Sequence, residues 1–287
     1  MTVKELLKLS DSKIDQLSFS DLDKKNIKRD CRHLLSAFVP CPFNQLLLFN
    51  ETKIKKTDQD IFTKQLSELI TGKPLAYILE KQNFYKSVFF VDHRVLIPRM
   101  ETELLVESVL KYFSAKKNLS FADFGTGSGC VVLSLLKEFF NSTAAAVDCS
   151  NQALKVAKYN AKKLSVSERV DFHHCSVKNF NPFVADKKLA YDFITGNPPY
   201  IAENAYIHPF VKAFEPKLAL MAGNQGLEFL LSWAQKAVIL LKPNGYYFFE
   251  FGDNQKDALK APLSLLFSQV TFLKDLQGIY RVAICKK

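Results

Sequence analysis

The chain has 287 residues, enough for one large domain or two modest ones, and its 48% hydrophobic content argues against a disordered chain. Lysine and arginine total 39 against 29 acidic residues; the net charge of +10 suits an acidic protein partner, RNA or DNA and does not choose among them. No uncharged apolar run reaches the about 20 residues needed to span a bilayer and the N-terminus lacks a signal pattern, so no membrane association is expected and the protein is expected in the cytoplasm.

To about Gly72 the chain reads helical. The stretches "VKELLKL", "IKRDCRHLLSAF" and "DIFTKQLSELI" carry apolar residues at three-and-four spacing. Asp58 is expected to cap the start of the third and Gly72 its end. Short loops favour a small helical bundle over residues 1–72. Residues 73–99 change texture: "NFYKSVFFVDHRVLIP" is rich in aromatic and β-branched residues with turn-like "YKS" and "VDHR", which predicts a β-hairpin linker. A third region, 100–287, opens with a helix expected from near Glu101 in "ETELLVESVLKYF".

From Ser120 strands and helices alternate. "SFADF" precedes "GTGSG" and helical "CVVLSLLKEFF", and "TAAAVD" precedes helical "SNQALKVAKYNAKKL". "VDFHHC" and "YDFIT" read as a third and a fourth strand. Helical "GLEFLLSWAQKAVILL" leads to "NGYYFFEFG", and "VTFLKD" with "YRVAICK" closes the chain as an expected antiparallel pair. This alternation predicts an α/β fold, a doubly wound and mostly parallel Rossmann-like sheet with helices on both faces. The aromatic run "YYFFEF" reads as core strand rather than a base-stacking platform.

The loop "ADFGTGSGC" places Gly125, Gly127 and Gly129 after the first strand, with Thr126 and Ser128 between them. Glycines there allow a sharp turn and close approach to a ligand. The spacing is G-x-G-x-G. The dinucleotide fingerprint would require glycine at Cys130, and no Gly-Lys-Ser/Thr follows to make a P-loop. Asp148 ends the next strand, 23 residues after Gly125, near the spacing of a carboxylate that accepts from ribose hydroxyls. Together these features predict an adenosine-type cofactor, and Cys130 favours S-adenosylmethionine over a nicotinamide dinucleotide.

The fourth strand runs into "NPPY", residues 197–200, at the carboxyl edge where ligands gather in open α/β sheets. Asn197 offers a side-chain carbonyl acceptor, Pro198 has no N–H and biases its surroundings towards exposed carbonyls, and Pro199 stiffens the turn. Tyr200 supplies a flat face for a planar group. A rigid pair of acceptors suits an –NH₂ group whose lone pair is delocalised. It holds both N–H bonds, aims the nitrogen at a methyl donor, and stabilises the positive charge that grows there. The expected catalytic set is therefore Asn197, Pro198, Pro199 and Tyr200. The expected cofactor set is Gly125, Thr126, Gly127, Ser128, Gly129, Asp148, Val177 and again Asn197. The six cysteines are scattered and read as reduced packing residues. His173 and His174 alternate on a strand with no carboxylate spaced to complete a metal site, so no metal is expected.

The segments "VLIPRMETELLVE", "DFGTGSGC", "AVDCSNQALKVAKYNA", "YDFITGNPPYI", "FEPKLAL", "GLEFL" and "LLKPNGYYFFEFGDNQ" occur in that order. Together they resemble the bacterial release-factor glutamine methyltransferases, the HemK/PrmC family, over nearly the whole chain. The resemblance implies a class I methyltransferase fold and a substrate: the side-chain amide of the glutamine in the Gly-Gly-Gln motif of class-one peptide chain release factors. It further implies that Gly125 to Gly129 bind the methionine portion of the cofactor and Asp148 the ribose. Asn197 and Pro198 would accept from the glutamine amide, Tyr200 would pack on it, and the N-terminal helices would dock the release factor. A monomer is expected.

Met100 stands where the family commonly has proline, Ser176 and Val177 stand near an often acidic-aromatic adenine-side pair, and Asn244 replaces a usual turn glycine. Val177 still offers apolar contact. Two other readings fit parts of the pattern. A nucleic-acid amino methyltransferase acting on adenine, cytosine or guanine would use the same "NPPY" geometry, but no separate, strongly basic recognition segment accompanies it. A non-catalytic cofactor-binding protein would not need Asn197.

Overall fold

Helix α1 (Val3–Asp15) begins at a capping box: the Glu5 N–H donates to Thr2 Oγ1 at 3.3 Å and the Thr2 N–H donates to Glu5 Oε2 at 2.9 Å. Helix α2 (Asp21–Ser36) is capped by Ser20, whose Oγ accepts from the Asp23 N–H. A 3₁₀ segment (Phe43–Phe49) and helix α3 (Lys56–Leu69) follow, then the short α4 (Leu75–Ile78). Their apolar stripes meet: Val3, Leu6 and Ile14 of α1, Cys31, Leu34 and Leu35 of α2, and Phe62, Leu66 and Leu69 of α3 are all buried. One expectation needs correction. The N-cap of α3 is Lys55, which makes no side-chain cap bond, and Asp58 lies inside the first turn, where its charge complements the helix dipole.

The computed structural model describes residues 1–113, 118–184, 187–188 and 190–287. It divides into two units, Met1–Glu80 and Lys81–Lys287. The second unit opens with the antiparallel hairpin β1 (Gln82–Phe84) and β2 (Ser87–Phe89), in which Phe84 and Phe89 are buried. A 3₁₀ turn (Met100–Thr102) leads into α5 (Glu103–Tyr112). The alternating part then runs β3 (Ser120–Phe124), α6 (Cys130–Glu138), β4 (Thr143–Asp148), α7 (Asn151–Lys163) and β5 (Val170–His174). The short pair β6 (Phe183–Val184) and β7 (Lys187–Lys188) precedes β8 (Tyr191–Gly196). Helices α8 (Pro209–Phe214), α9 (Lys217–Leu220) and α10 (Glu228–Leu240) come before β9 (Leu241–Glu250). Helix α11 (Lys256–Leu266) and strands β10 (Gln269–Lys274) and β11 (Tyr280–Lys286) complete the unit.

Seven strands form one sheet in the order β10-β11-β9-β8-β3-β4-β5. Strands β9, β8, β3, β4 and β5 pair in parallel, and β11 runs antiparallel to both its neighbours. The chain moves outward from β3 through β4 to β5, then returns to β8 on the other side of β3. That reversal opens a crevice at the carboxyl ends of β3 and β8, where ligands bind in sheets of this type. The register sets which residues meet there: Phe124 pairs with Gly196 and Gly196 with Phe249, so Gly125, Asn197 and Glu250 follow at the ends of three adjacent strands. Phe124, Ile194, Tyr247 and Phe249 are among the side chains that fill the core beneath that edge, and "YYFFEF" is core strand. Asn244 adopts φ +61°, a left-handed conformation that asparagine tolerates better than most residues.

Candidate active site

The crevice is a cleft lined from the carboxyl ends of β3, β4 and β8 and from α10. Its floor is the glycine loop. Gly125 has φ +66°, and a Cβ there would lie 2.5 Å from the Trp233 indole. Gly127 has φ +56°, and its Cβ would meet only Gly125 O at 3.9 Å, standing instead in the open cleft. The first glycine is required by packing and both by backbone conformation. The second leaves a cradle that a bound group can enter. Gly129 is the N-cap of α6, so the loop delivers the chain directly into a helix N-terminus.

Asp148 braces this loop. Its Oδ2 accepts from the Gly127 N–H at 2.9 Å and its Oδ1 from the Ser150 N–H at 2.8 Å. Each oxygen keeps a lone pair for a further donor such as a diol. Burial raises the Asp148 pKa, opposed by the two backbone N–H groups. Of the expected cofactor residues, Gly125, Thr126, Gly127, Ser128, Asp148, Val177 and Asn197 line the cleft, and Gly129 closes the loop behind them. Ser176 lines it too, while its Oγ accepts from the Asn179 N–H. Cys130, at the first position of α6, also lines the cleft, and burial pushes its thiol up to about 12. The histidines form no metal cluster among the described residues.

Asn197 and Pro199 line the cleft beside the glycine loop; Pro198 is buried, and Tyr200 packs against the core. The turn they form is clamped on every side. Gln255 Nε2 donates to Tyr200 O at 3.0 Å and to Gly226 O at 3.1 Å, and the Ile201 N–H donates to Leu220 O. The Tyr200 hydroxyl donates to Glu250 Oε1 at 3.1 Å, Thr102 Oγ1 donates to Glu250 Oε2 at 2.5 Å, and Asn197 Nδ2 donates to Thr102 Oγ1 at 3.3 Å. Glu250 is 2% exposed; burial raises its pKa, and the two hydroxyls and Arg281 oppose that rise.

Sequence reasoning passed over several residues that build this site. Thr102, Glu250 and Gln255 hold the turn. Arg99 pairs with the buried Glu215 at 2.5 Å, and Glu215 Oε2 also accepts from the Ile97 N–H, which ties the "IPR" and "FEP" segments together at the cleft wall. Phe229 and Trp233, one helical turn apart on α10, supply an aromatic side to the cleft. Asp123 lines the floor, 3% exposed, and accepts the Thr195 hydroxyl at 2.7 Å. The available signals were weak: each is a single polar or aromatic residue beside a motif already read for other reasons. Met100 is 77% exposed and begins the 3₁₀ turn that delivers Thr102.

The family model for the methyltransferase small domain matches residues 100–219. The release factor glutamine methyltransferase of Enterococcus faecalis is 36% identical over 246 residues, covering 84% of this chain and 86% of that protein. The chain belongs to the release factor glutamine methyltransferase family. A second member, from Koribacter versatilis, is 31% identical over 292 residues and covers 100% of this chain and 99% of its own. The chain also matches the bifunctional methyltransferase of Rickettsia prowazekii, at 32% identity over 274 residues, 88% of this chain and 52% of that protein; it spans about half the length of that relative. Among solved structures, a METTL16 methyltransferase domain superposes with a TM-score of 0.53 at 19% identity, over 69% of this chain and 87% of that one, a likeness of fold alone. No helix among the described residues is long and apolar enough to cross a membrane.

Proposed function

We propose that this protein methylates the side-chain amide nitrogen of the glutamine in the Gly-Gly-Gln motif of class-one peptide chain release factors, using S-adenosylmethionine. The observation that carries the reading is the clamped "NPPY" turn facing a glycine-floored cleft at the sheet's switch point, in a chain of this family. The residues present fit the cofactor: Gly127 leaves room for close approach, Asp148 keeps acceptor capacity for ribose hydroxyls, and Val177 offers an apolar contact towards adenine. When bound, S-adenosylmethionine supplies a methyl group made electrophilic by its sulfonium.

The remaining work belongs to the chain. Asn197 Oδ1 and the Pro198 carbonyl would accept the two amide N–H bonds and so hold and orient the substrate nitrogen. Methylation would place positive charge on that nitrogen, and the two acceptors would stabilise it more than they stabilise the neutral amide. The proton leaves afterwards, so no strong base is required. Pro199 and the Gln255 clamp keep the acceptors from relaxing, and Tyr200 anchors the turn through its hydroxyl. The N-terminal helices, residues 1–72, would dock the release factor, as the family resemblance implies.

The test is mass spectrometry of a class-one release factor after incubation with this protein and S-adenosylmethionine. One methyl group is expected on the motif glutamine, and none when that glutamine is replaced. Transfer to DNA or RNA in place of the release factor would contradict the reading.

A further inference from the structure

A carboxamide has two ends of nearly equal size and opposite hydrogen-bonding character. Asn197 serves as an acceptor only if its oxygen, and not its –NH₂, faces the cleft. The turn itself does not decide this. The deciding contact comes from Thr102, 95 residues away in the sequence, whose Oγ1 lies 3.3 Å from Asn197 Nδ2. Thr102 has one hydroxyl proton. That proton goes to Glu250 Oε2 at 2.5 Å, which leaves Oγ1 able only to accept. The other oxygen of Glu250 accepts the Tyr200 hydroxyl at 3.1 Å, so the carboxylate is bound as an acceptor on both sides. With Thr102 restricted to accepting, the Asn197 –NH₂ must turn towards it, and Oδ1 is left facing away.

We infer that the buried Glu250 carboxylate, acting through Thr102, fixes which end of the Asn197 carboxamide faces the cleft, and so makes the site select a glutamine amide over a glutamate carboxylate. This rests on the proposed amide methylation. A glutamine side chain brings N–H donors that match an outward oxygen, whereas a glutamate carboxylate brings only acceptors and is repelled by it. Thr102 and Glu250 are positioning residues: neither needs to touch substrate. Glu250 occupies the end of β9, one residue beyond the Gly196–Phe249 pair, where the sheet register holds it beside the turn.

The relay predicts a change of preference, which a purely structural loss would not produce. In Thr102→Val the isosteric side chain offers Asn197 no acceptor, and the amide is free to rotate its –NH₂ into the cleft. In Glu250→Gln the new amide can donate to Thr102, freeing its proton for Asn197 Oδ1, with the same consequence. The experiment measures kcat and KM for an intact class-one release factor, and inhibition by the same factor carrying glutamate in place of the motif glutamine. Wild type is expected to turn over the glutamine form and ignore the glutamate form. Thr102→Val is expected to lose about tenfold or more in kcat and to bind the glutamate form at least about tenfold more tightly relative to the glutamine form, with cofactor affinity retained. Glu250→Gln should move both values in the same direction, and Thr102→Ser, which restores the hydroxyl, should return them towards wild type. Equal weakening towards both forms, or an unchanged ratio in both variants while wild type transfers methyl to the glutamine, overturns the inference alone. Failure of wild type to methylate the release factor removes the functional reading and this inference with it.

Discussion

Asp123 sits on β3 two residues before Gly125, with one oxygen accepting the Thr195 hydroxyl. Burial pushes its pKa up to about 7, and the nearby Asp148 charge adds to the rise. In the unfolded chain the same carboxyl ionises near 3.8. Between those values the folded protein holds a proton that the unfolded chain has released. Stability is therefore lost as pH rises through this window, the reverse of a salt-bridged carboxylate. Asp123→Asn keeps the acceptor for Thr195 and removes the buried charge. Calorimetry should show this variant gaining about 5 °C more in Tm at about pH 8 than at about pH 4, relative to wild type at each pH. An equal gain at both pH values would mean that the carboxyl ionises alike in the folded and unfolded chain, as a solvated Asp123 would, and would contradict the buried proton. Glu250 differs from Asp123 in its partners: burial raises its pKa too, but hydroxyl donors on both oxygens, Thr102 and Tyr200, and the Arg281 charge oppose the rise.

At the scale of elements, a single buried asparagine joins three pieces of the second unit. Asn160 on α7 is 1% exposed; its Oδ1 accepts from the Phe90 N–H at 2.8 Å, and its Nδ2 donates to Phe90 O and to Ser128 O, each at 2.9 Å. It fastens the segment after the β1–β2 hairpin to the helix and to the glycine loop. Asn160→Ala leaves those backbone groups without partners and should cost about 2–4 kcal/mol in denaturant unfolding, with weakened cofactor binding through a loosened Ser128. A loss below about 0.5 kcal/mol would show that water replaces the side chain without penalty. Much of the scaffold around this point was legible in the sequence, because strand and helix periods, the "GTGSG" turn and the "NPPY" turn are local patterns. The clamps were not. Asn160 reaches across 70 residues, Thr102 across 148 to Glu250, and Ile97 across 118 to Glu215, and no local period encodes which distant backbone a lone polar side chain will satisfy. Asp58 failed as a cap for the opposite reason: several residues near a helix start carry capping chemistry, and the chain enters α3 two residues before it reaches the first turn's aspartate.

Over the whole molecule, sheet order turns these separate sequence signals into one site. The reversal between β5 and β8 brings Gly125 and Asn197 side by side, and the parallel pairing of β9 adds Glu250 as the third strand end. Asp123, Asp148 and the acceptor turn line one cleft, with the Arg99–Glu215 pair at its wall, and apart from Asn197 the cofactor residues lie on other elements than the turn. That separation makes them independently testable. The most direct measurement is single-turnover methyl transfer to a class-one release factor by Asn197→Ala, with S-adenosylmethionine affinity measured on the same preparation. Transfer is expected to fall by about 10²–10³-fold while cofactor affinity stays within about threefold of wild type. Undiminished transfer by the alanine variant would contradict the account, because the amide of the substrate would then be held by something other than this turn.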